Sequence, residues 1–133
     1  MTLEQQRAAQ AYRHVQGIAD RHPKDSKERK QYASMAQKLP ALFRSAGLCQ
    51  ALHFLKSRGK DPERSVLGQL LAHLAEQMQR TDADITDGAK LCDTVRQADL
   101  PRYLWMTREA LATAEWYARL SQSELEILPG TEP

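Results

Sequence analysis

The sequence predicts an all-α protein, a compact bundle of five to six helices that forms a single domain over residues 1–133. Apolar residues recur at steps of three and four along most of the chain, which is the spacing of one helix face. No window alternates apolar and polar residues as a half-buried strand does. With 41% hydrophobic and 27% charged residues, the composition is that of a folded globular domain.

The first helix is predicted from a stripe formed by Ala8, Ala11, Val15 and Ile18. Because the residue before a proline avoids helical geometry, the helix should end near His22, which precedes a proline.

The second helix has the strongest apolar pattern in the chain. Asp25 and Glu28 stand at the spacing of a capping box and should begin it, and Gly47 should end it. Pro40 has no N–H with which to continue the backbone ladder, so we expect the helix to kink there or to restart as a second short helix. The predicted core residues are Tyr32, Met35, Ala36, Leu39, Leu42, Phe43 and Ala46.

Two further stripes predict the middle of the bundle. The third helix should end at Gly59, and the fourth should begin with Asp61 as its N-cap and Pro62 as its first helical residue. The stripes are Leu48, Ala51, Leu52 and Leu55 in the third helix and Val66, Leu67, Leu70, Leu71, Leu74 and Met78 in the fourth.

The remaining chain predicts a loop, a short helix and a long helix. Residues 81–88 are polar and should form the longest loop, and a short helix should cover about 89–97. Asp99 and Pro101 should open the last helix, and residues from about 122 to 133 should be a flexible tail. The last helix has two predicted apolar sides, one of Leu104, Leu111, Ala114 and Ala118 and one of Trp105, Ala112 and Trp116.

No motif in the chain indicates an enzyme. The phosphate-cradling patterns GxxxxGK[ST] and GxGxxG are absent. Cys49 and His53 lie four residues apart, but no second pair completes a zinc site, and Asp82, Asp84 and Asp87 lack the glycine and glutamate of a calcium loop. We therefore expect no catalytic residue, no metal and no cofactor, with these carboxylates capping helices and solvating a loop. Triads that form only in space stay open.

The chain also lacks the marks of a secreted or membrane protein. No stretch approaches the roughly 18 apolar residues of a membrane span, and the polar N-terminal residues contain no signal-peptide core. The two cysteines, Cys49 and Cys92, are expected to be buried or idle thiols. We expect a cytoplasmic protein without a membrane partner.

Charge is distributed unevenly along the sequence. Residues 1–60 hold twelve Lys/Arg and four Asp/Glu, a balance of +8, whereas residues 61–133 hold seven and thirteen, a balance of −6. On a helical wheel Lys27, Lys30, Lys38 and Arg44 fall opposite the apolar side of the second helix. We interpret this side as a face that binds a phosphate backbone, the alternative being an ordinary solvated surface. The candidate RNA-binding residues are Arg21, Lys24, Lys27, Arg29, Lys30, Lys38, Arg44, Lys56, Arg58 and Lys60.

The last helix carries the candidate contacts between subunits. Trp105 and Trp116 are eleven residues apart, about three helical turns, and so point in nearly the same direction, which favours packing in the core or at a subunit interface. Glu109 and Glu115 are the acidic candidates, since an acidic end of one copy can meet the basic end of the next in a head-to-tail contact.

The segment from residue 32 to residue 56 resembles a known family. A tyrosine and an alanine precede Lys38-Leu39-Pro40, and a Gly-Leu-x-x-Ala-Leu-x-Phe-Leu helix follows from Gly47. This arrangement resembles the small helical subunit of the type III-B CRISPR–Cas effector, the Cmr complex. Ala46 departs from the asparagine that often precedes this glycine. The residues that resemble the family's last helix are Tyr103, Thr107, Ala110, Leu111 and Trp116-Tyr117-Ala118-Arg119.

The resemblance spans about residues 5–121 and implies a role in antiviral defence. It implies a non-catalytic subunit that stacks with copies of itself beside the crRNA-binding backbone subunits, where its basic face would contact crRNA or target RNA. Target cleavage in such complexes belongs to the backbone subunit, which agrees with the absence of catalytic motifs. The alternative function is a helical adaptor that binds proteins and no nucleic acid.

Overall fold

The computed structural model describes residues 1–59 and 61–130, and within these ranges it contains six α-helices and no strand. The all-α prediction is confirmed. None of the helices in this part of the chain combines the length and the apolar character that crossing a membrane would need. The helices are α1 (Leu3–Arg21), α2 (Lys27–Ala46), α3 (Leu48–Arg58), α4 (Val66–Met78), α5 (Gly88–Gln97) and α6 (Leu100–Ser123).

Helix α4 is the centre of the bundle and packs against all five other helices. It is the most apolar of the six, and a helix that is apolar around most of its circumference must be buried on most sides. Its buried residues include Leu70, Leu71 and Leu74. Helices α1 and α2 pack along α6 on one side of the molecule, and α3 and α5 pack on the other.

Short polar side chains begin five of the six described helices, α3 being the exception, although not always where the sequence indicated. Thr2 and Gln5 form a reciprocal capping box at α1, and Asp99 caps α6 as predicted. The N-cap of α2 is Ser26, whose hydroxyl accepts from the Arg29 N–H, so the predicted Asp25 capping box is wrong.

The N-cap of α4 is Ser65, not Asp61. The Asp61 carboxylate instead accepts from the Glu63 N–H at 2.9 Å, and the Ser65 N–H donates to the Asp61 carbonyl at 2.8 Å. Asp61 therefore caps a turn that precedes the helix, and Pro62 lies within that turn. An aspartate followed by proline starts a turn as readily as a helix.

Helix α2 runs through Pro40 without a restart. The proline removes one ladder hydrogen bond, but α2 is supported along its length by α6, α4 and α3. Gly47 then links α2 to α3 with φ of +88°, a backbone conformation that side chains disfavour. The single linking residue places the end of α2 directly beside the start of α3.

The buried face of α6 differs from the predicted one. Leu104 is 55% exposed, and the core side of the helix includes Thr113 and Ser121 among its buried residues. The buried Thr113 hydroxyl has a hydrogen-bond partner, since it donates to the Glu109 carbonyl at 2.9 Å. Small residues on this face allow α1 and α2 to approach closely, which apolarity alone does not predict. The apolar members of the buried face are Met106, Ala110, Ala114 and Tyr117.

The C-terminal segment packs against the bundle as far as Ile127. Helix α6 continues to Ser123, and Leu125 and Ile127 are buried in the core. The Gln37 side chain donates to the Ile127 carbonyl at 2.8 Å. Leu125 and Ile127 supply apolar packing that the sequence pattern does not predict. Residues 131–133 of the predicted tail lie outside the described residues.

Candidate nucleic-acid interface

Most of the predicted basic residues lie on one connected part of the chain, from the end of α1 through α2 to the end of α3. We call this set the basic surface. Exposed members include Lys27 and Lys38 on α2 and Arg58 at the end of α3, whereas Lys30 and Lys56 are partly buried. Lys60 lies outside the described residues. The described members are Arg21, Lys24, Lys27, Lys30, Lys38, Arg44, Lys56 and Arg58.

Arg29 belongs to the interior instead of the basic surface. Its side chain is 8% exposed, and its guanidinium donates to three backbone carbonyls. These are the carbonyls of Leu125 at 3.1 Å, His22 at 3.2 Å and Glu124 at 3.4 Å. The residue therefore joins the end of α1 to the segment after α6, and it is not presented to a ligand. The sequence placed it in the RNA-binding set because it stands in a basic run.

Several basic-surface residues have partners within the chain. Lys24 pairs with Glu126 at 3.3 Å, and Arg44 pairs with Glu115 at 3.0 Å. Both pairs are exposed, and such pairs are worth only about 0–1 kcal/mol. A phosphate can therefore replace the carboxylate in either pair at little cost.

A groove lies beside the basic surface, between α2, α3 and the start of α4. Its volume is about 430 Å³, within the range of small-ligand sites. Phe54 is 41% exposed and lies in the lining, and the Arg58 guanidinium carbon stands 5.6 Å from the Phe54 ring centre. We call this feature the α2–α3 groove. Its other α2 and α4 residues are Gln31, Ser34, Met35, Lys38, Ala41, Leu42, Ser45 and Leu67.

The sequence interpretation missed Phe54 as a surface residue. The buried stripe of α3 runs through Leu48, Leu52 and Leu55, and position 54 falls outside it. An aromatic residue outside the apolar stripe of a helix is the signal that could have found it.

The acidic interface candidates are paired inside the molecule. Glu109 forms an ion pair with Arg7 in which both side chains are largely buried, and Glu115 pairs with Arg44. Glu109 therefore ties α6 to α1. The half-buried Trp116 lines a groove of about 520 Å³ between the same two helices, together with Arg7 and Arg119.

The start of α6 carries an exposed apolar patch. Leu100 is 68% exposed, Leu104 is 55% exposed and Trp105 is 40% exposed. We call these three residues the α6 patch. Clustered apolar side chains on a surface are typical of contacts with other proteins. Trp105 is a predicted residue of a subunit interface, whereas the sequence pattern places Leu104 on an apolar side of the helix together with Leu111.

A polar cluster lies between α1, α2, α4 and α6. The rings of His14 and His73 stack with centres 4.0 Å apart, and His14 Nδ1 lies 2.7 Å from the Tyr117 hydroxyl. His73 Nδ1 lies 2.8 Å from the Tyr32 hydroxyl, and His14 Nε2 contacts Glu76. Burial lowers the pKa of His14, and burial together with the neighbouring His14 lowers the pKa of His73 to about 3. Both rings are therefore neutral at pH 7.

The aspartates and cysteines considered as metal ligands have other contacts within the protein. Asp82 accepts from the Asp84 N–H at 2.9 Å and pairs with Arg102, and Asp87 caps α5. Cys92 is buried, which raises the pKa of its thiol. Over residues 1–59 and 61–130, no group of three His, Cys, Asp or Glu side chains is arranged to hold a metal ion. The half-buried Cys49 is likewise unbonded to another cysteine.

Comparison with known proteins identifies a class of small CRISPR-associated proteins. The family model described as CRISPR-associated protein Cas_Cmr5 matches residues 3–124. The CRISPR system Cmr subunit Cmr5 of Thermus thermophilus is 43% identical over 98 residues, which is 74% of this chain and 78% of that protein. The chain therefore belongs to the Cmr5 family.

A solved structure shares the fold. The crystal structure of a CRISPR-associated Cmr5 family protein from Thermus thermophilus matches with a TM-score of 0.76 and 37% sequence identity. The match covers 92% of this chain and 96% of that one. The resemblance drawn from the segment between residues 32 and 56 is confirmed.

Proposed function

We propose that this chain is a non-catalytic structural subunit of a type III-B CRISPR ribonucleoprotein effector, the Cmr complex. It stacks along the complex beside the crRNA-binding backbone subunit and further copies of itself, and it contacts crRNA or target RNA. Family membership supports the place in the complex. The basic surface is the observation that supports the RNA contact, because eight described Lys and Arg residues lie between the end of α1 and the end of α3.

Lys27, Lys30 and Lys38 provide the test of the RNA contact. Changing all three to Glu should abolish binding of labelled single-stranded RNA, measured by fluorescence anisotropy at about 50 mM salt. Wild-type affinity should be independent of base sequence and should fall steeply towards about 200 mM salt, because each phosphate contact releases a bound counterion. The three side chains lie on α2 outside its buried face, so the variant should fold.

The matched control has the same charge change on other surfaces. Arg13, Lys90 and Arg108 are exposed on α1, α5 and α6, and their change to Glu should leave most of the RNA affinity. Equal losses in the two triple variants would show that net charge, and not the basic surface, governs binding. An unaltered affinity in the Lys27, Lys30 and Lys38 variant would contradict the RNA contact.

The α6 patch favours the second candidate, an adaptor that binds proteins alone. Leu100, Leu104 and Trp105 offer an apolar contact whose strength does not depend on RNA. Glu109 is held in a largely buried ion pair with Arg7, so apolar packing supports stacking better than this carboxylate does. The tagged protein should be purified from its host, with bound proteins and small RNA identified. Protein partners without RNA would favour the adaptor, and Leu104→Glu should release them.

A further inference from the structure

Phe54 has no role in the core of the protein. It is 41% exposed, while Leu52 and Leu55 on either side of it are at most 1% exposed. A polar residue at position 54 would leave the packing of α3 intact and would remove an apolar ring from water. Its position in the α2–α3 groove, with the Arg58 guanidinium over one face of its ring, is the feature that a ligand can use.

The groove combines an apolar floor with polar edges. Met35 and Leu67 are buried and apolar, whereas Ser34 and Ser45 have hydroxyls that can both donate and accept hydrogen bonds. Sites for small planar molecules are built in this way, with apolar walls and a few polar groups that fix orientation. The volume of about 430 Å³ suits a single planar group.

Positive side chains around the groove favour an anionic ligand. On the α2 wheel Lys27, Ser34, Lys38 and Ser45 follow one another at steps of four and seven residues, so Lys27 and Lys38 lie on the side of the helix that lines the groove. Arg58 adds a cation from α3. Positive side chains beside an exposed aromatic ring are the two elements with which proteins hold single-stranded nucleic acid, the cations at the phosphates and the ring against a base.

We propose that the α2–α3 groove binds one unpaired nucleobase of single-stranded RNA, stacked on Phe54 beside Arg58. This rests on the proposed RNA contact and adds to it a site for a base. The Arg58 guanidinium lies over one face of the Phe54 ring, so the base stacks on the face that Arg58 leaves open, and Lys27 and Lys38 hold the adjoining phosphates. Every base has a π-face that can stack on the ring, so binding stays independent of sequence.

The experiment compares Phe54→Ala with wild type on two oligomers of equal length, a single-stranded RNA and a sugar-phosphate backbone without bases. The variant should bind the RNA about tenfold more weakly, or worse, since stacking on an aromatic side chain is worth about 1–3 kcal/mol per base. Both proteins should bind the baseless oligomer equally. The salt dependence of the variant should equal that of wild type, because no phosphate contact is lost.

Two further variants serve as controls for Phe54→Ala. Tyr12 is 46% exposed on α1 and lies outside the groove, so Tyr12→Ala removes an exposed aromatic ring elsewhere and should keep wild-type affinity. Phe54→Trp keeps a stacking surface and should bind as tightly as wild type or more tightly, which tests the proposal even if Phe54→Ala does not fold.

Three results would overturn the proposal. Wild-type RNA affinity in Phe54→Ala, with loss in the Lys27, Lys30 and Lys38 variant, would remove the base site and leave the RNA contact. An equal loss by Phe54→Ala on both oligomers would show that no base is stacked. Absence of RNA binding by wild type at about 50 mM salt would overturn the base site and the proposed RNA contact together.

Discussion

Two basic residues that stand two positions apart, Lys27 and Arg29, have opposite surroundings. Arg29→Met should lower the free energy of unfolding by about 2–3 kcal/mol, because a buried charged donor is lost and the carbonyls of His22, Glu124 and Leu125 are left without it. Urea unfolding followed by circular dichroism would measure this loss.

Lys27→Met is the matched control, since it removes the same charge from an exposed position. It should leave the urea midpoint unchanged within error and should weaken RNA binding. If Arg29→Met unfolds at the wild-type midpoint and weakens RNA binding instead, the interior role of Arg29 is wrong.

The sequence contained a signal for the position of Arg29, but not for its partners. Arg29 precedes the buried Tyr32 and Ala33 by three and four residues, which places it towards the core side of α2. The carbonyls that it binds at Glu124 and Leu125 are 95 and 96 residues away and belong to a segment without helical periodicity. Contacts at such separations follow from the packing of whole helices, which local patterns do not define.

At the scale of helices, two glycines hold α3 and α4 together. A Cβ atom on Gly59 would overlap the Gly68 backbone nitrogen, and one on Gly68 would lie 2.8 Å from the Gly59 carbonyl oxygen. Gly59→Ala should therefore destabilise the protein by about 1–3 kcal/mol, the range of overpacked cores. Thermal unfolding followed by circular dichroism would show the lowered midpoint.

Gly17 provides the contrasting substitution. A Cβ there would meet the flexible Arg21 side chain at 3.5 Å, which is an ordinary contact. Gly17→Ala should raise stability by about 0.5–1 kcal/mol, because alanine loses less backbone freedom than glycine when a helix forms. A drop in the midpoint for Gly17→Ala, or no change for Gly59→Ala, would contradict this interpretation of the two positions.

Helix existence could be predicted from the apolar stripes, whereas helix ends and the buried face of α6 could not. Asp25 and Ser26 are adjacent and both suit an N-cap, so the backbone path between α1 and α2 decides which one is used. On α6, the side with Leu104 is more apolar by sequence, but Thr113 and Ser121 are small enough to lie against neighbouring helices. The basic residues of α2 beside the groove could be predicted from the sequence. The walls of the groove could not, because they come from three different helices.

At the scale of the whole molecule, the His14 and His73 cluster predicts a loss of stability in acid. The folded pKa of His73 is about 3, below the value of 6.5 of a free histidine, so the unfolded chain binds a proton that the folded chain does not. Stability should be fully present above about pH 6.5 and should fall as the pH drops towards 3. The groups facing the two rings are Arg13, Arg21, Tyr32, Glu76 and Tyr117.

Urea unfolding of wild type and His73→Gln at several pH values would check this dependence. The variant should lose less stability between pH 6.5 and pH 4, because one titrating group is gone. His53→Gln removes an imidazole on α3 outside the cluster, and the acid-side loss should persist in it. An identical pH dependence in wild type and His73→Gln would show that other groups govern acid unfolding.

The packing of α6 against α1 and α2 has a consequence for how the protein is made. These helices stand at opposite ends of the sequence, and Leu125 and Ile127 complete the core after α6. While the ribosome is still synthesising α6, the part of α2 that packs against α6 has no partner and stays open to water. The nascent chain should therefore depend on chaperones until its last residues emerge, and a stop codon after residue 120 should yield aggregated protein.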